Sequence, residues 1–166
     1  GILGGSFDPA HKGHLKISCE AKKILNLTKI IWAVTKKNPL KLKSYNTLNK
    51  RIKFAKSIAS KKKYIKVKFL EDKIKSNKTI DLIKYYKRKE KFLNLYFIVG
   101  ADCLVDFHKW HRWEEILKYC KIIVFDRQNY KSKCLNSLAY KKYNNNGLKF
   151  INFKKVNISS SKLRKI

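Results

Sequence analysis

No apolar run in this sequence approaches the roughly 20 residues that cross a bilayer, and no charged-then-apolar opening of the secretory kind is present. It opens abruptly on what reads as a strand, so a few preceding residues are expected. Cysteine is sparse: Cys19, Cys103, Cys120 and Cys134 are scattered, without metal-ligand spacing or the density of a disulfide framework. They read as small core residues in a reducing cytosol; the expected location is cytoplasmic, with no protein-held metal and no membrane partner. Acidic residues are scarce, 11 Asp and Glu against 41 Lys and Arg, and they form no cluster. Linkers and internal repeats are missing too. The 166 residues are therefore expected to form a single domain, 1–166, large enough to bury about two-thirds of its unfolded surface.

The resulting net charge of +30 points first to nucleic acid or an anionic membrane. The composition argues otherwise. Only Arg51, Arg88, Arg112, Arg127 and Arg164 are arginines, and arginine is the residue whose planar fork reads bases and phosphates in pairs. The lysines are spread along the whole chain, and with the Ile and Asn enrichment they resemble the drift of an AT-rich genome. A basic nucleic-acid-binding module is thus a distant alternative, and no specific nucleic-acid partner is expected. A diffuse positive field still attracts polyphosphates.

What is present is alternation of short β-rich runs with amphipathic stretches. Strands are predicted at Ile2–Leu3, Lys29–Thr35, Tyr64–Leu70, Asn94–Val99, Lys121–Phe125 and Leu148–Phe153. Helices are predicted over Lys12–Leu27, Thr47–Ser60, Thr79–Arg88, Arg112–Tyr119 and Ser132–Tyr143, with a last one starting at Ser159. On the second of these, Leu48, Ile52, Ala55 and Ile58 mark the apolar face. This order implies an α/β fold, a doubly wound parallel sheet with crossover helices. Ligands of such sheets sit beyond the carboxyl ends of the strands. Gly4-Gly5, Gly100-Ala101-Asp102 and Asp126-Arg127 all fall at such ends.

The stretch Gly4-Gly5-Ser6-Phe7-Asp8-Pro9-Ala10-His11-Lys12-Gly13-His14 carries the strongest chemistry. Two glycines let the chain turn sharply and approach a ligand closely. The helix that follows offers unpaired N–H groups and a positive dipole end to an anion. His11 and His14, three apart, share one side of it. Either histidine alone would read as an ordinary surface residue; the whole pattern after a strand does not. At the far end, Ile158-Ser159-Ser160-Ser161-Lys162-Leu163-Arg164 places hydroxyls at a helix start, with Arg164 one turn on to clamp phosphate.

Together these stretches resemble the two signatures of the nucleotidyltransferase superfamily, H-x-G-H and I-S-S-T-x-I-R, with Ser161 for the threonine and Leu163 for the second isoleucine. The Gly-Gly-Ser-Phe-Asp-Pro form is most similar to the bacterial nicotinate-mononucleotide adenylyltransferase family. Trp32–Thr35 with Asn38–Lys41, Asn77–Asp81, and Ile98–Asp102 followed by Phe107–Trp110 extend that likeness over most of the chain. The Asn77–Asp81 segment keeps Thr79 and Asp81 of the family pattern but loses its Ser and Tyr. Family members usually run on past the second signature, so either a longer tail or an unusually compact form is expected.

The resemblance implies a Rossmann-like nucleotidyltransferase fold, adenylyl transfer from ATP to nicotinate mononucleotide, and Mg²⁺ arriving with ATP. It implies that Gly4, Gly5, Ser6 and Phe7 line the nucleotide cleft, and that His11 and His14 act on the ATP phosphates. Lys41 would reach a phosphate, Gly100 and Asp102 would contact ribose and adenine, and Ser159, Ser161 and Arg164 would bind the triphosphate end. Thr79 and Trp110 would hold the nicotinate ring, with His111 beside them at a position often aromatic in the family. Arg127 after the fifth strand is a further candidate for the nucleotide site, against a plain surface charge. Trp113 reads as core packing. Within the superfamily the alternative acceptors are pantetheine phosphate, or a polyol phosphate in cytidylyl transfer.

Overall fold

The computed structural model describes residues 1–37, 44–91 and 93–153. The chain divides into two compact units, Gly1–Asn77 and a second that begins at Lys78. In the first, β1 (Ile2–Gly5), β2 (Ile30–Val34) and β3 (Ile65–Lys68) lie in the order β3-β2-β1, all parallel. The register pairs Gly4 with Ala33 and Gly5 with Val34, so both glycines end β1 level with the end of β2. Strand β2, Ile-Ile-Trp-Ala-Val, is buried at every position, as a strand covered on both faces requires. Strand β3 buries Ile65 but exposes Lys66 and Lys68, charges that blunt an outer strand.

Helices α1 (Lys12–Leu25), α2 (Leu48–Ala59) and α3 (Glu71–Ile74) complete this unit. Small residues of α1, Gly13, Ser18 and Ala21, are the buried ones. The Ser18 hydroxyl accepts from the Trp32 indole N–H at 2.8 Å and donates to the His14 carbonyl at 2.9 Å, so a buried polar pair is satisfied. The helix stops at Asn26, which adopts the left-handed cap conformation at φ 48°. Thr47 caps α2, whose fully buried stripe is Arg51, Ala55 and Ala59. Ile52 and Ile58 are only half-buried there. The apolar face expected from the sequence is thus centred on an arginine. The short helix α3 directly after β3 was not foreseen; its four residues are too few for a periodic pattern.

The second unit holds β4 (Tyr96–Gly100), β5 (Lys121–Phe125) and β6 (Leu148–Ile151) in that order, again parallel. Around them lie α4 (Thr79–Lys89), α5 (Ala101–Val105), a 3-10 turn at Phe107–Lys109, α6 (Trp113–Tyr119), α7 (Lys131–Leu135) and α8 (Leu138–Tyr143). Helix α4 packs on α6, helped by a Lys84–Glu115 ion pair at 2.7 Å, and α5 packs on α7 and α8. The single helix expected over Ser132–Tyr143 is two. Ser137 breaks it by donating its hydroxyl to the Cys134 carbonyl at 2.6 Å and capping α8 through the Tyr140 N–H at 3.3 Å. Every described strand pair is parallel and strands alternate with helices, as the α/β reading requires. Among the described residues no helix is long and apolar enough to cross a membrane. The helix expected from Ser159 lies outside the described residues.

Candidate active site

The carboxyl end of β1 runs into a tightly tied turn. Phe7 stands at φ 47°, a left-handed conformation that strains a bulky residue by about 1–3 kcal/mol. Its ring compensates. It is 1% exposed, stacks on Trp32 with centroids 5.1 Å apart, and lies 4.8 Å from the His14 ring. Phe7, expected to line the cleft, therefore presents its ring to the core and to His14. Asp8, whose peptide to Pro9 is cis, is also buried. Its carboxylate accepts from the Tyr45 N–H, the Asn46 N–H at 3.1 Å and the Asn46 side-chain amide at 2.8 Å. Burial alone would raise this carboxyl, but those bonds, with the Arg51 charge, hold it below its ordinary value.

Helix α1 starts with imidazoles where Ser and Glu usually form a capping box. His11 is the N-cap, and its Nδ1 accepts from the Gly13 N–H at 3.1 Å; His14 Nδ1 accepts from the His11 N–H at 3.1 Å. The two rings lie 3.9 Å apart. An Nδ1 that accepts carries no proton, so each neutral ring holds its N–H on Nε2. The first turn of α1 has no acidic residue to oppose an anion. One strand-turn-helix thus joins Gly4, Gly5, Ser6, Phe7, His11 and His14.

Arg51 ties this turn to the chain leaving β2, which Glu71 also holds, and neither was singled out in the sequence. The Arg51 guanidinium donates to the carbonyls of Ser6 and Thr35, both at 2.7 Å, and of Lys36 at 2.8 Å. The Glu71 carboxylate accepts from the Thr35 hydroxyl and from the Lys36 N–H at 3.2 Å. An arginine beside Ile52 and four residues before Ala55, on a helix face otherwise apolar, was the one available signal.

In the second unit, Gly100 ends β4 and caps α5. A Cβ at Gly100 would fall 2.5 Å from Asp102 Oδ1, so the glycine makes room for that carboxylate. Asp102 Oδ2 is ion-paired with Arg127, while Oδ1 is buried with no hydrogen-bond partner among the described residues. Gly100, Asp102 and Arg127 therefore meet at the carboxyl ends of β4 and β5. Trp110 rests against Phe107, centroids 5.0 Å apart, and edge-on to Phe97; its indole N–H is likewise buried without a partner there. Thr79 is the first residue of α4 and half-buried. His111 is exposed in the turn before α6. Trp113 packs edge-on against Phe107 and Tyr143 but is only half-buried, at the margin of the core and not within it. Lys41, Ser159, Ser161 and Arg164 lie outside the described residues. Among the described residues no three His, Cys, Asp or Glu side chains gather in a group that could hold a metal ion.

Residues 2–166 match the cytidylyltransferase-like family model. The chain is 63% identical, over 166 residues, to the "Probable nicotinate-nucleotide adenylyltransferase" of Pelagibacter ubique, covering 100% of this chain and 92% of that protein. It is 38% identical over 140 residues to the protein of the same name from Bradyrhizobium, covering 84% of this chain and 72% of the relative. Among solved structures, it resembles Plasmodium falciparum nicotinic acid mononucleotide adenylyltransferase complexed with APC. That match has a TM-score of 0.78 and 24% identity, over 99% of this chain and 81% of the other. The same Plasmodium enzyme complexed with NaAD matches with a TM-score of 0.74 and 27% identity, over the same shares of the two chains. These likenesses show the Rossmann-like, doubly wound nucleotidyltransferase fold.

Proposed function

From the premise that this chain belongs to the cytidylyltransferase-like family, we infer that it is a nicotinate-nucleotide adenylyltransferase. It transfers the adenylyl group of ATP to nicotinate mononucleotide, giving nicotinate adenine dinucleotide and pyrophosphate, a step of NAD biosynthesis. The observation that carries this reading is the likeness to the Pelagibacter protein along the entire chain. The strand-turn-helix with its paired imidazoles supports it chemically.

In the reaction, a phosphate oxygen of nicotinate mononucleotide bonds to the α-phosphorus of ATP as the bond to the bridging α,β-oxygen breaks. Pyrophosphate leaves with that electron pair. The nucleophile is already ionised near neutral pH, so no general base is needed, and catalysis is positioning plus charge neutralisation. In this reading the Nε2–H groups of His11 and His14 donate to ATP phosphates at the start of α1, joined by Arg164, Lys41, Ser159 and Ser161 on the triphosphate. Gly4, Gly5 and Ser6 let the nucleotide approach the main chain. Phe7 acts from below, by bracing His14. Gly100, Asp102 and Arg127 serve the adenosine; Thr79, Trp110 and His111 serve the nicotinate. Magnesium enters as the MgATP substrate, held by phosphate oxygens and water.

We read residues 1–166 as one catalytic domain, supported by the family match along 2–166. A cytoplasmic setting suits four cysteines that are all reduced thiols.

The test is a side-by-side assay of ATP with nicotinate mononucleotide, nicotinamide mononucleotide and pantetheine phosphate. Dinucleotide product and pyrophosphate are both quantified. The acid mononucleotide should have the highest kcat/KM; faster turnover of either other acceptor overturns the assignment.

A further inference from the structure

Arg51 is 2% exposed, on a helix position where a buried residue is ordinarily apolar. A guanidinium stays charged, so its burial is tolerated only when its donors are met. Here four of the five N–H groups are met by main-chain carbonyls from three separate stretches. Nη1 donates to Ser6 and Thr35, Nη2 to Lys36, and Nε to Asn46 at 3.2 Å. Ser6 lies in the turn after β1, Thr35 and Lys36 follow β2, and Asn46 precedes α2. Burial lowers the guanidinium below its ordinary value, and the charges of Asp8 and Glu71 act against that in favour of the ionised form.

The bonds form a closed circuit. Asp8 accepts from both N–H sources of Asn46, and the Asn46 carbonyl accepts from Arg51, which in turn holds Ser6, two residues before Asp8. Glu71 fixes the Thr35 hydroxyl and the Lys36 N–H on the other flank. A leucine or methionine would fill the same space with less desolvation, as apolar replacements of buried charges generally do. It could not bind three stretches of main chain in one register.

We infer that Arg51 is a positioning residue of the adenylyl transfer, setting the path of the turn between Gly5 and Asp8 by fastening the Ser6 carbonyl to the chain leaving β2 and the chain entering α2. This inference rests on the reading of Gly4–His14 as the ATP half of the site. Because the grip is on main-chain carbonyls, it acts on where the turn lies and not on its side-chain chemistry. A shift of that turn by about 1 Å is enough to impair phosphate alignment.

The test uses the full chain with Arg51→Lys and Arg51→Ala. Circular-dichroism melts set a temperature at which each variant is folded. Affinity for α,β-methylene-ATP is then measured by calorimetry, and steady-state kinetics are run with and without guanidinium chloride. Both variants should bind the analogue at least about tenfold more weakly and raise KM for ATP in step, while KM for nicotinate mononucleotide stays within about threefold. Guanidinium ion, at roughly 50 mM and far below denaturing levels, should restore ATP affinity to Arg51→Ala several-fold and leave the wild type unchanged. If Arg51→Ala fails to fold, Arg51→Lys decides by the same measurements. Unaltered analogue affinity overturns the inference. So does a fall in kcat alone with both KM values unchanged, the mark of a smaller folded fraction, and so does unfolding of both variants. A wild type that binds the analogue but does not turn over nicotinate mononucleotide counts against the proposed acceptor, and the affinities still decide Arg51. A wild type that binds no analogue overturns both.

Discussion

The Phe7 ring stacks on Trp32 at an interplanar angle of 18°, while the Phe7 backbone is held in the left-handed region at φ 47°. Packing and strain therefore act on the same residue in opposite directions. Phe7→Ala should destabilise by about 3–5 kcal/mol, because it empties a fully buried site without relieving the strain of a Cβ at positive φ. Phe7→Gly relieves the second effect, and should equal or exceed the alanine variant in stability by about 1 kcal/mol. Urea unfolding of the two variants checks the order; alanine clearly more stable than glycine would mean the φ value is unstrained.

His14→Ala should reduce kcat by two or more orders of magnitude in a pyrophosphate-release assay with ATP and nicotinate mononucleotide. The fold should survive, since the described cap that is removed is one bond from the His11 N–H, a loss of about 1 kcal/mol. His14→Asn offers an oxygen in place of Nδ1 but no donor at the Nε2 position. It should recover stability without recovering rate. Full activity of either variant would remove His14 from the chemistry.

The acid limb of stability should depend on Asp8. Its folded-state value is lowered below the ordinary 3.8, so its contribution is complete above that value and is lost as pH falls through the lower, folded one. Between about pH 5 and pH 2 the wild type should lose stability more steeply than Asp8→Asn, which starts lower at neutral pH and has no carboxylate there to protonate. Urea midpoints across that range measure the two slopes. Parallel slopes would show that Asp8 is not perturbed.

Gly100→Ala sends its Cβ into Asp102 Oδ1, and the carboxylate end of Asp102 is what must move. The ion pair with Arg127 is partly exposed, so its loss should alter stability by no more than about 1 kcal/mol. ATP affinity should fall roughly tenfold if Asp102 serves the adenosine, as one lost charged hydrogen bond would dictate. Calorimetry with α,β-methylene-ATP on Gly100→Ala and Asp102→Asn should give similar losses. Wild-type affinity in both would remove this pair from the site.

Strand and helix order was legible in the sequence because hydrophobic periodicity is local, and all six strand segments lie where the apolar runs fall. The Gly4–His14 stretch was legible for the same reason: its glycines, histidines and following helix are contiguous. The short helices α3 and α5 were not, being shorter than the window over which a period shows. Nor was the break at Ser137, which depends on one hydroxyl choosing a backbone partner over solvent.

What the sequence determined by itself was the α/β class, the glycine- and histidine-bearing motif at the end of β1 and the glycine at the end of β4. Each depends on residues within a few positions of one another. What only the tertiary structure decided is which groups hold that motif in place. Arg51 reaches Ser6 across 45 residues, and Asp8 reaches Asn46 across 38. Those bonds exist because parallel pairing of β1, β2 and β3 requires each connection to return along the sheet, bringing the ends of distant segments to one edge. The motif's chemistry is written in its own residues; its position is set by carbonyls that any residue would carry, and such partners leave no mark in a sequence.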